Sequence, residues 1–167
     1  MQASLVQLRA VDLGYPQGQN MVRPPASSES VDMLRRETPL FGDAGLYHLY
    51  EVCDGVTLPD VHNGYFIHAV ALIARGVASG EPRALSQPGA GSEEVLVFGS
   101  DGGGGRFAVR RNPLGEVVHL ASFGEVRNGV YDGRVRTLAP SVESFLERLH
   151  ADLDAFIACT EGWSFMA

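Results

Sequence analysis

The sequence contains no lysine: all thirteen of its positive charges are arginine, against twenty Asp and Glu, for a formal charge of −7. A chain so short of cations is a poor match for a nucleic-acid backbone, which asks for a concentrated Lys/Arg face, and for an anionic membrane. Cysteine is nearly missing as well. Cys53 and Cys159 stand far apart, which leaves neither a disulfide framework nor a CxxC metal or redox pair. Cys53 falls on an apolar helix face, where a small buried hydrophobe is expected. No apolar run approaches the roughly eighteen residues of a membrane-crossing helix. The opening MQASLVQLRAVDLGY lacks the basic start and long apolar stretch of a secretory signal. A cytoplasmic address is therefore the expectation. No repeat of solenoid period is present.

What is there suits one domain. The chain has 167 residues, of which 45% are hydrophobic, enough apolar material for a core. Leu5, Leu8 and Val11 hint at a short first helix. Residues 15–30 turn to Pro, Gln, Gly and Ser and read as an extended loop, followed by a helical turn or two at 31–37. A helix over 44–54 carries Leu46, Leu49, Tyr50 and Cys53 on one face, with Asp43 as its cap and Gly55 as its stop. A brief strand at 56–58, a second at 65–67, a helix over 69–78 and a loop over 80–92 come next. Then EVLVF (94–98), RFAVR (106–110) and EVVHL (116–120) are β-rich runs joined by turn chemistry, which predicts an antiparallel meander. A further strand over 130–138, broken at Asp132-Gly133, precedes a terminal helix over 141–158. In that helix Val142, Phe145, Leu146, Leu149, Leu153, Phe156 and Ile157 form the apolar stripe, while Glu143, Glu147, Arg148, Asp152 and Asp154 face away. Helices, then strands, then a helix predict an α+β domain: one twisted, mainly antiparallel sheet flanked by N-terminal helices and a C-terminal helix.

The segment VFGSDGGGGRFAV, residues 97–109, is the most unusual. A phosphate-binding loop would need a GK[ST] ending or a following helix, and here a strand follows. A calcium loop would need about six to eight oxygens, and Asp101 is the one carboxylate. Two readings stay open: a hairpin whose glycines turn the backbone, or a bare-backbone surface on which another protein docks.

Catalytic patterns are thin. His48, His62, His68, His119 and His150 include no HExxH pair and no tight Cys/His cluster, although Asp60, His62, His68 and Cys53 are the residues that would seed a metal site. No GxSxG appears, and Asp60, Glu93, Glu94 and Asp101 are carboxylates that sequence alone does not bring together. No catalytic residue, metal site or cofactor is expected.

The strand ending FGSDGGG, the FAV strand after it and the GEVV strand beyond resemble the signature of the SUKH superfamily. LYHLYEVCDGV (46–56), GYFI (64–67) and APSVESFLE (139–147) are similar to further segments of that family in the same order, over about residues 40–157. Thr38-Pro-Leu-Phe-Gly-Asp43 departs from the Leu-Pro pair that the family shows there. The resemblance divides the chain into an unassigned N-terminal helix and Pro/Ser-rich loop (1–40), a SUKH-like domain (41–160) and a tail (161–167). It implies a protein-interaction module without catalysis, most often a bacterial immunity protein that neutralises a toxin; the fungal member regulates cell-wall synthesis. An acidic chain suits a basic toxin domain. The expected partner face is the exposed set around two turns: Asp60, His62, Asn63, Tyr65, Ser100, Asp101, Gly102, Gly103 and Arg106. A general adaptor and, less favoured, a small-molecule-binding protein or enzyme are the alternatives.

Overall fold

A computed structural model describes residues 1–42, 44–87, 89 and 91–160, without the side chains of residues 77–79. The expected cap Asp43 and the tail 161–167 lie outside the described residues. Five helices are present among them: α1 (Gln2–Leu8), α2 (Ser28–Glu37), α3 (Leu46–Val52), α4 (Val70–Ser79) and α5 (Val142–Ile157). The strands are β1 (Met21–Val22), β2 (Val56–Leu58), β3 (Tyr65–Ile67), β4 (Ala84–Gln87), β5 (Gly91–Asp101), β6 (Arg106–Arg110), β7 (Val117–Leu120), β8 (Glu125–Arg127), β9 (Val130–Asp132) and β10 (Val135–Ala139). This is a single α+β domain with an open, mostly antiparallel sheet.

The expected meander forms the centre: β5, β6 and β7 pair antiparallel in sequence order. Strand β5 is long enough to serve two partners on its other edge. Its first residues pair with β4 and its last three with β3. From there one arm runs through β2 to β1, and the other runs through β9, parallel to β4, to β8. Strand β10 closes the far side against β7. Alternation along β5 explains the unbroken apolar run EVLVF. Leu96 and Phe98 enter the large core under the helices, and Val95 and Val97 enter a second, smaller core with Leu85, Ala108, Val118, Leu120 and Tyr131. Both faces of the meander are therefore buried.

Four sequence expectations need correction. The 80–92 loop contains β4, a weak strand pattern (ALSQ) that forms because β5 and β9 hydrogen-bond it from both sides. The 15–30 loop contains β1, and α2 begins at Ser28, where the Ser27 hydroxyl accepts from the Ser30 amide. The third helix is shorter than expected and ends at Val52, which frees Asp54 to accept from the Val70 amide and cap α4 across the chain. Strand β8 was not anticipated. The first forty residues also enter the core, with Leu5, Leu8, Val31 and Leu34 all buried. No helix among the described residues is long and apolar enough to cross a membrane.

Candidate functional site

Two short loops meet at one end of the sheet. One, residues 59–64, enters β3; the other, residues 101–105, joins β5 to β6. In the β3–β5 ladder Tyr65 faces Asp101, and beyond the ladder the Gly102 amide donates to the Gly64 carbonyl at 2.9 Å. The fit is tight: a Cβ on Gly102 would stand 1.4 Å from the Asn63 carbonyl oxygen. The two loops form one seam, and glycine at 102 is what lets them touch.

Asp101 organises the glycine run. Its Oδ1 accepts from the amides of Gly103 (2.8 Å) and Gly105 (2.7 Å), and its Oδ2 accepts from His119 Nε2 at 2.7 Å. The Gly104 amide turns back to the Asp101 carbonyl. All four glycine amides are thus spent inside the molecule. A phosphate nest or an oxyanion hole needs free amides aimed at a ligand, so this loop offers neither. Its outward chemistry is the reverse. Gly102, Gly103 and Gly104 are exposed, and among the described residues their carbonyls accept no hydrogen bond. Local geometry accounts for three of the four glycines. Besides Gly102, Gly104 has a φ of +85°, and a Cβ at Gly105 would sit 2.2 Å from His119 Nε2. At Gly103 a Cβ would meet Asp101 Oδ1 at 3.3 Å and no backbone atom within 4 Å.

A second Asp–His pair lies across the seam. Asp152 of α5 is 0% exposed and accepts from His62 Nε2 at 3.1 Å. His62 holds a left-handed φ of 54°, and its ring packs edge-on against Phe156. Burial, and next the Asp152 carboxylate, push the Tyr65 phenol well above its ordinary range, so it stays protonated and donates to Asp152. The rings of His62, Tyr65, Phe107 and His119 follow one another at centroid separations of 6.0, 6.3 and 5.9 Å. This row connects the two pairs.

The expected site residues therefore divide. His62, Asn63, Gly102 and Gly103 are exposed on the seam. Asp101 sits beneath it as the loop's anchor, not as an outward charge. Tyr65, expected at the surface, is buried because it lies between Asp152 and the core ring Phe107. Asp60 is only 6% exposed: its carboxylate accepts from the Gly18 amide and the Asn20 side chain and ties the N-terminal segment to the sheet. Ser100 meets His68 Nε2 at 3.0 Å, and Arg106 donates from Nε to Glu81 at 2.5 Å, on the flank toward α4. Burial lowers the His68 pKa, which favours its neutral ring. Asp60, His62, His68 and Cys53 do not converge, and no group of three His, Cys, Asp or Glu among the described residues could hold a metal ion.

Asp152 is the residue that sequence reasoning placed on the wrong face. It stands seven residues after Phe145 and three after Leu149, both buried, so the helical spacing itself put it on the stripe. Its charge masked that signal. Arg134, Arg136 and Phe123 were also missed; with His119 and Ala121 they line a cavity of about 260 Å³. The chain matches no protein-family model and no curated protein sequence.

Proposed function

We propose that this chain is a non-catalytic protein-binding domain of the immunity type, which captures a basic toxin domain in the cytoplasm through the glycine-loop seam. The observation that carries the reading is the hydrogen-bond account of residues 102–105: every amide is satisfied within, and three exposed carbonyls are left as acceptors. Such an edge complements a partner rich in donors, and Arg and Lys are pure donors. Because Asp101 holds the loop from below, the edge is set in place before any partner arrives, which reduces the ordering cost of binding. The resemblance to SUKH proteins supports the same reading, as does the charge of −7.

A hydrolytic alternative has one observation in its favour, the Ser100 hydroxyl at 3.0 Å from a His68 whose burial favours the neutral form. It is the weaker reading. The neighbouring glycine amides leave nothing to stabilise an oxyanion, and Ser100 itself lies within the β5 ladder between Phe66 and Arg106.

The test is affinity capture from the native host's lysate with wild type beside Gly103→Arg, read by mass spectrometry. Gly103 is exposed and its Cβ would meet no backbone atom, only Asp101 Oδ1 at 3.3 Å, which would have to give by a few tenths of an ångström; a urea midpoint close to that of wild type checks that the variant keeps the fold. The expected result is one stoichiometric basic protein, lost in the variant, that rebinds when purified with a Kd on the order of nanomolar. A partner indifferent to Gly103→Arg would remove the loop from the interface. Absence of any partner, together with labelling of Ser100 by a serine-directed phosphonate, would favour the hydrolytic reading.

A further inference from the structure

We propose that the cavity beside the glycine loop, lined by His119, Ala121, Phe123, Arg134 and Arg136, binds a carboxylate carried next to an apolar group, as at the C-terminal end of a protein segment. The inference takes the source of that carboxylate from the protein-binding reading; the chemistry of the cavity stands without it.

Charge is the first argument. The chain as a whole is acidic, yet this cavity of about 260 Å³ has two arginines and no Asp or Glu among its lining residues. Arg134 makes no ion pair among the described residues. Arg134 immediately precedes β10, Arg136 is its second residue, and both line the cavity. One guanidinium, that of Arg134, holds a carboxylate through two parallel charge-assisted hydrogen bonds, and Arg136, which also acts electrostatically on Tyr65, adds positive charge to the wall. His119 stands opposite Arg136 in the β7–β10 register, and its Nε2 is already engaged by Asp101. Its ring closes the wall.

Preorganisation is the second. Tyr131 is 1% exposed, and its hydroxyl donates to the carbonyls of both Ala121 (2.8 Å) and Arg134 (3.2 Å). The Ala121 amide also donates to the Arg134 carbonyl. One buried phenol therefore pins the two turns that carry opposite sides of the cavity. The turns close down on this side chain so tightly that a Cβ on Gly124 would come within 2.3 Å of its ring and one on Gly133 within 2.6 Å of its hydroxyl oxygen.

The third argument concerns the rest of the ligand. Phe123 is 76% exposed, the most of the large hydrophobic side chains among the described residues, and with Ala121 it makes the remaining wall apolar. A bare oxyanion would leave that surface uncovered, whereas a carboxylate with an apolar neighbour covers it. A Cβ on Gly104 would lie 3.3 Å from Ser122 Cβ, so the cavity and the glycine loop form one continuous surface.

The experiment is a 1H–15N NMR titration of the whole chain with N-acetylphenylalanine, with its amide, and with inorganic phosphate. The carboxylate is expected to give saturable shifts at residues 119–124 and 133–136, with a Kd on the order of 1 mM. The amide should give none, and Arg134→Gln should weaken the carboxylate about tenfold. Phe123→Ala should weaken it as well, which checks the apolar half on an unaltered charge. Equal response to carboxylate and amide, or tighter binding of phosphate, overturns the proposal. Should the carboxylate titrate as expected while no host protein is captured, the protein-binding reading fails and the cavity stands. Should a host protein be captured while the carboxylate leaves residues 119–124 and 133–136 unmoved, the cavity proposal fails alone.

Discussion

The two Asp–His pairs use the same chemistry and depend on it differently. Asp101 has His119 on one oxygen and two glycine amides on the other, and both side chains of the pair are 15% exposed. Asp152 is fully enclosed on α5, held by Tyr65 and by a His62 side chain that is 35% exposed. In the first pair the acid is the hub and the histidine one of three supports. In the second the acid is sealed in the core, where losing a partner is costly because water does not replace it. Resemblance between ion pairs on paper is thus a poor guide to their weight; the surroundings of the acid decide it.

Substitutions that break each pair sharpen the contrast, and urea denaturation reads them all as changes in midpoint. Gly102→Ala should have the largest effect, about 3 kcal/mol, since the Asn63 carbonyl occupies the space of its Cβ and the seam that houses both pairs must open. Gly103→Ala should be close to neutral beside it; equal losses at both positions would disprove the packing account of the run. Next comes His62→Ala, at about 2 kcal/mol, less than for a fully buried pair because a third of the ring side chain is exposed. His62→Gly separates pair from backbone: it relieves the left-handed φ of 54°, so a stabilised His62→Gly would mean that strain outweighs the contact with Asp152. For His119→Ala the expected loss is about 1 kcal/mol, because two amides remain on Asp101. A loss larger than that of His62→Ala would invert the comparison.

The smallest effect tests a histidine with no carboxylate bonded to it. Burial lowers the His68 pKa, so the unfolded chain takes up the proton more readily than the folded one. The stability from neutral His68 is complete above about pH 6.5 and is lost as pH falls from there through the depressed folded value. His68→Gln should flatten the urea midpoint over that window. An unchanged slope would show that other groups carry it.

Much of the architecture was legible because periodicity is local. The meander, the α5 stripe and the strands at 56–58 and 65–67 follow from alternation and helical spacing within single segments. Strands β1, β4 and β8 were not legible, since each is only two to four residues long: β1 pairs with the distant β2, β4 is held by the distant β9 as well as by its neighbour β5, and β8 is a three-residue hairpin arm on β9 whose side chains are all exposed. The site shows the same division. Loop chemistry drew attention to residues 60–65 and 100–106, yet Asp60 and Tyr65 are buried, and Asp152 and Arg134 come from elements far along the sequence.

The amino-acid sequence by itself determined where apolar faces lie, where the chain turns and that glycine would concentrate between β5 and β6. Only the tertiary structure decided which charges face water. Whether a carboxylate is an outward recognition group or an internal anchor depends on donors that arrive from other elements, as the Gly103 and Gly105 amides and His119 reach Asp101, and as His62 and Tyr65 reach Asp152. Those encounters are made by packing, and no local pattern encodes them.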